Sequence, residues 1–146
     1  MKQLVLVLAI LTAACNQNDK IAQNAAMPPL NVASETPGDW SDLNLLVGRT
    51  PADSGLFADS PITVDLNALL GAQATTYRRA IEGGSALTRV GPVLVTVAPD
   101  RSAYLLLYPA DHALEAGLKT ASGWRQWNTP GSHVPRPAAI GQLLAT

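Results

Sequence analysis

Cysteine occurs once, at Cys15, so no disulfide can close within the chain. Lysine is nearly as scarce: Lys2, Lys20 and Lys119 stand alone, and the arginines are scattered. Nucleic-acid binders carry a basic stripe or patch; with none present and a net charge of −1, no nucleic acid is expected as a partner. The two histidines, His112 and His133, are too few for a metal site, which needs three or four convergent ligands. No run of about 20 apolar residues occurs, so no transmembrane helix is expected. Phosphate-cradling, dinucleotide-binding and nucleophile-elbow glycine motifs are all missing, and no cofactor is implied. Asp53, Asp59, Asp65 and Glu82 qualify for paired-carboxylate chemistry only by being acids; capping and surface roles suit them better. The expectation is a protein that is not an enzyme.

What is present begins at the amino terminus. Met1-Lys2-Gln3 gives a short positive start, and Leu4 to Ala14 is apolar apart from Thr12. This is the three-part layout of a secretory signal, with small residues before the processing point. The run Leu11-Thr12-Ala13-Ala14-Cys15 resembles the bacterial lipobox, although Thr12 occupies the position usually held by leucine. The resemblance implies cleavage before Cys15, acylation of Cys15 (palmitate being typical) and membrane attachment through the lipid. One acyl chain anchors marginally and two or more hold firmly, at about 0.8 kcal/mol per buried methylene. Asn16 rather than aspartate follows the cysteine, which by the same resemblance favours the outer membrane, facing the periplasm. Loss of Lys2 with the signal takes the net charge to −2.

Residues 16 to 38 are polar, alanine-rich and contain three prolines, without a sustained apolar period. Such a stretch buries too little surface to repay its ordering entropy. As a coil of ~24 residues it would reach about 27 Å, enough to clear lipid headgroups. The expected organisation is therefore a signal at 1–14, a lipidated cysteine and tether at 15–39, and one domain at 40–146.

Within the domain, Asp59-Ser60-Pro61 reads as a helix start, with Ile62, Leu66, Leu69 and Leu70 on one face and Gly71 as the stop. A second helix is expected from Ala74 to Glu82, burying Tyr77 and Ile81. The period then becomes two. Residues 92–98, 102–108, 113–120 and 123–129 read as strands, 86–90 as an added edge strand, and short turns between them require antiparallel neighbours. Pro137 opens a closing helix with Ile140, Leu143 and Leu144 inward. The class is α+β: an antiparallel, about five-stranded meander with short helices packed on one face. Glu115, Gly117 and Lys119 alternate with Leu114, Ala116 and Leu118, which suggests that the opposite face is wet. On that reading some aromatic surface lies open unless Trp40 with Leu43 to Val47, or a loop, covers it. Arg101, Tyr104, Tyr108, Trp124 and Trp127 are the candidate partner-binding residues, since exposed apolar patches mark interfaces. Trp124 and Trp127, three apart, should lie on opposite faces.

The stretch Gly48-Arg49-x-Pro51-x-Asp53, the helix end Leu69-Leu70-Gly71, the second helix near Tyr77 and the meander Val93 to Leu118 together resemble the Ivy-type family of vertebrate-lysozyme inhibitors. The resemblance covers about 100 residues and implies a five-stranded antiparallel sheet flanked by helices. Inhibitors of that family present a protruding loop closed by two cysteines and carrying a histidine. Here the connection is Pro99-Asp100-Arg101, with neither, so no inhibitory residue carries over. The resulting expectation is a lipid-anchored, non-enzymatic binding or inhibitor-like protein. Its partners would be the membrane, through the anchor, and an envelope protein or a lysozyme-like hydrolase; the alternatives are a lysozyme inhibitor using a remodelled loop and an accessory subunit of an envelope complex.

Overall fold

The computed structural model describes residues 38–146. The signal at 1–14, Cys15 and the tether as far as residue 37 lie outside the described residues.

The described chain enters through a 3-10 helix, Trp40–Leu46, capped where the Asp39 carboxylate accepts from the Ser41 backbone N–H at 2.8 Å. Trp40 and Leu43 turn inward and are fully buried. Residues 51–62 then wind through successive turns. The first regular helix, α1, spans Thr63–Leu70, which begins later than the Asp59-Ser60-Pro61 signal suggested. The physical reason lies in Ser60: its hydroxyl donates to the Leu56 carbonyl at 2.6 Å, closing the preceding turn, and only weakly accepts from Ile62 N–H at 3.4 Å. Gly71, at φ 52°, stops the helix as expected. The chain passes through one 3-10 turn into α2, Ala74–Ile81, which buries Tyr77 and Ile81.

Five strands follow: β1 (Thr88–Val90), β2 (Val93–Val97), β3 (Ala103–Tyr108), β4 (Ala113–Thr120) and β5 (Gly123–Asn128). They lie in sequence order, each antiparallel to the next. This is the α+β meander that the period-two pattern and the short connections predicted. Because successive side chains alternate, each strand feeds two faces. Leu94, Leu105, Leu107, Leu114, Ala116 and Leu118 pack with Trp40, Leu43, Leu66, Tyr77 and Ile81 on the first face. Truncating one of these buried leucines to alanine would cost about 2–5 kcal/mol, through lost transfer energy and the cavity left behind.

The second face differs from the sequence expectation in one particular. The closing helix α3, Ala138–Leu144, does not join α1 and α2. Its Ile140 and Leu143, with Val134, pack against Val93, Tyr104, Leu106 and Ala113. The face expected to be wet is therefore covered, and its cover is the carboxy-terminal segment rather than Trp40 and Leu43, which seal the other side. Glu115, expected in solvent, is 3% exposed. Gly117 is buried as well; of the three residues only Lys119 is exposed.

Candidate functional site

The sequence candidates are divided by the sheet. Tyr104, Tyr108 and Trp124 belong to the second face, and Trp127 to the first. Trp124 and Trp127 are thus on opposite faces, as their spacing requires. Trp127 is half-buried, edge-on to Tyr77 with ring centroids 6.5 Å apart, and carries the Arg125 guanidinium 5.2 Å from its ring centre. Tyr108 and Trp124 are half-buried, and Tyr104 has no exposed surface. Tyr104 is accordingly an interior residue and presents no surface to a partner. Arg101 stands apart from the aromatics, exposed in the β2–β3 turn at φ 59°.

Tyr104 instead anchors a polar cluster that the sequence did not reveal. Its hydroxyl donates to Glu115 Oε1 at 2.6 Å. The same oxygen accepts from Arg136, with Nε at 3.0 Å and Nη2 at 2.7 Å, and Arg136 Nη2 also donates to Gln126 Oε1 at 2.9 Å. The carboxylate is almost fully buried, whereas the guanidinium is 37% exposed, so one end of the pair meets water. Burial, and then the bond to Glu115, raise the Tyr104 hydroxyl well above the usual tyrosine range. Tyr77, whose hydroxyl donates to the Tyr104 carbonyl at 2.7 Å, is raised by burial. A mostly buried, mutually bonded cluster of this kind holds the carboxy-terminal segment to the sheet. The indole N–H of Trp124, buried beside it, has no acceptor.

Gly117 makes this cluster possible. It sits directly across from Tyr104, and a Cβ added there would lie 2.0 Å from Tyr104 Cε1. The missing side chain lets the ring lie flat across β4 and reach Glu115, two residues away.

Three of the hollows among the described residues bear on binding. The first, about 430 Å³, lies between the 3-10 helix and the turn before α1, with Asp42, Leu45 and Asp59 on its walls. The second, about 350 Å³, includes Asp39, Asn44, Arg89 and His112. His112 holds a left-handed backbone at φ 49°, and its ring stacks on Trp40 at 5.5 Å. The Asp39 carboxylate beside it is held below its ordinary range by the hydrogen bonds from Ser41 and, to a lesser degree, by His112. The third, about 350 Å³, is a largely apolar trough between β2 and α3 that reaches Arg101. Among the described residues no group of three His, Cys, Asp or Glu is placed to hold a metal ion. No described helix is long and apolar enough to cross a membrane.

The fold defines the class plainly, as an α+β domain built on a five-stranded antiparallel meander. No protein family, curated protein or solved structure matches the chain.

Proposed function

We propose that the protein is a lipoprotein of the bacterial envelope, lipid-anchored through Cys15, whose domain binds a ligand or partner and does not catalyse a reaction. The observation that carries this reading is the amino-terminal sequence: a positive start, a short apolar run and small residues ending at Cys15. The alanine- and proline-rich stretch that follows supplies a tether, and Asn16 favours the outer membrane, facing the periplasm. The domain suits a binding role because its buried carboxylate, Glu115, is committed to Tyr104 and Arg136, while its surface offers open hollows. The resemblance to Ivy-type inhibitors belongs to this reading as a statement about the domain's shape.

Radiolabelled palmitate incorporation with membrane fractionation tests the anchor. The chain is expected to label and to sediment with membranes, and Cys15→Ser to lose both. Continued labelling of the Ser variant would refute the assignment.

A further inference from the structure

We propose that the trough between β2 and α3 is a binding site for a single-chain anionic amphiphile, an alkyl chain with a carboxylate-like head. This deepens the binding reading and rests on it only in taking the domain to be a binder. Val93, Val95 and Val97 all face α3, yet only Val93 is fully buried; Val95 and Val97 stay half-exposed. The cause is the helix itself. It is short, and the residues it sets along the trough at its start are Ala138 and Ala139, too small to reach the valines. A hollow of about 350 Å³ remains, walled by Val90, Val95, Val97, Ala139, Ile140 and Leu143.

The trough follows β2 from the level of Val90, which pairs with Val93, toward the turn at Arg101. Four residues of strand at about 3.3 Å each give roughly 13 Å before the turn is reached. An extended chain of about ten to twelve carbons, with bonds of about 1.5 Å, is of that length.

Two features select the occupant. The lining is nearly devoid of polar groups, so a peptide would bring backbone N–H and C=O groups to a place without partners for them. An alkyl chain brings none. Arg101, at the end of the trough, is a cation with no acid within ion-pair distance among the described residues. Its neighbour Asp100 is committed elsewhere, accepting from Ser102 N–H at 2.9 Å and from Ser102 Oγ at 2.6 Å. An anionic head placed at Arg101 completes a pairing that the described residues leave open.

The test is calorimetric titration of the purified full-length chain with dodecanoate, dodecanol and dodecyltrimethylammonium, each below its micelle concentration. Two variants locate the binding. Arg101→Gly removes the cation at a backbone angle that glycine adopts freely, so the fold is retained. Ala139→Trp fills the trough from an exposed helix position. Dodecanoate is expected to bind one-to-one and to be preferred over dodecyltrimethylammonium. Arg101→Gly should weaken dodecanoate by about three- to fivefold, the scale of an exposed ion pair, and narrow the preference. Ala139→Trp should abolish binding of dodecanoate and dodecanol alike. Absence of saturable dodecanoate binding, equal affinity for the anionic and cationic heads, or binding unchanged in Ala139→Trp would each overturn the proposal. Failure here leaves the anchor assignment standing, because covalent palmitate label, counted after denaturation and extraction of free lipid, reads Cys15 and not the trough.

Discussion

Replacing Gly117 with alanine adds one methyl group in the middle of a strand, where alanine is ordinarily the better residue by about 0.5–1 kcal/mol. The structure reverses that expectation. The new Cβ would lie 2.0, 2.6 and 2.7 Å from Cε1, Cζ and Cδ1 of Tyr104, so it meets the ring and not the end of a flexible chain. The ring has nowhere to go. It is fully buried, its hydroxyl is bound to Glu115 at 2.6 Å, and Trp124 packs against it with centroids 5.6 Å apart. Overpacking in such a place costs about 1–3 kcal/mol. A ring displaced far enough to clear the methyl also lengthens its bond to a charged acceptor, an interaction of about 1.5–3 kcal/mol. After the intrinsic gain is set against these, Gly117→Ala should destabilise the domain by about 3 kcal/mol. For a domain near 100 residues that lowers the melting temperature by roughly 12 °C.

Urea denaturation followed by tryptophan fluorescence measures the cost directly. A double-mutant cycle with Tyr104→Leu isolates its origin. With the ring gone the methyl has room, so the double variant should be at least about 1 kcal/mol more stable than the two single costs predict. A cost below about 0.5 kcal/mol, or strict additivity with Tyr104→Leu, would refute the reasoning, because the steric conflict would then not exist.

Arg136→Ala should cost about 1–2 kcal/mol, less than a fully buried pair because the guanidinium is partly in water. Equilibrium unfolding indistinguishable from the parent would show that the link holds nothing. Alkaline pH should destabilise the fold through Tyr77 and Tyr104, whose hydroxyls burial raises above the ordinary value of 10.0. The unfolded chain sheds these protons first, so their contribution is intact below about pH 10 and declines as pH rises beyond it. Urea midpoints that do not fall between pH 9 and pH 11, or that fall equally in a Tyr77→Phe/Tyr104→Phe variant, would contradict this. Lysozyme of the vertebrate type should remain active in cell-wall lysis assays with micromolar protein, since the β2–β3 turn is closed on itself by Arg101 N–H to Ala98 O at 2.9 Å and projects no loop. Inhibition at nanomolar concentration, lost in Arg101→Gly, would reverse that conclusion.

The meander was legible because its turns are short and its strands alternate, and those two features alone force antiparallel neighbours in chain order. The helices were legible in kind, from Gly71 as a stop and from the spacing of Tyr77 and Ile81. The start of α1 was not, because Ser60 can cap either the turn behind it or the helix ahead, and nothing local decides between them. The second face was misread for a different reason. A glutamate alternating with leucines looks like a solvent-facing position whenever its partner is far away in sequence, and Arg136 lies 21 residues beyond Glu115. Gly117 carried the missing hint: a glycine inside a strand often marks the close approach of another group. Tyr104, which looked like open aromatic surface, is the residue that approaches.

A buried carboxylate is a poor source of net stability but a strong constraint on register. Slipping β4 by one residue would carry Glu115 to the leucine-lined face, among Leu105 and Leu107, away from Tyr104 and Arg136. It would also place a side chain where Gly117 now admits the Tyr104 ring. Both faces of β4 are otherwise apolar enough to tolerate the slip, so the polar link is what distinguishes the correct pairing. The same link decides where the cover lies. Arg136 fastens the carboxy-terminal segment over β4 and β5, through Glu115 and Gln126, immediately before α3 begins. The short helix that follows begins with Ala138 and Ala139, which are too small to cover Val95 and Val97 on β2. The apolar trough beside Arg101 thus lies where the cover, just past its charged anchor, carries only alanines.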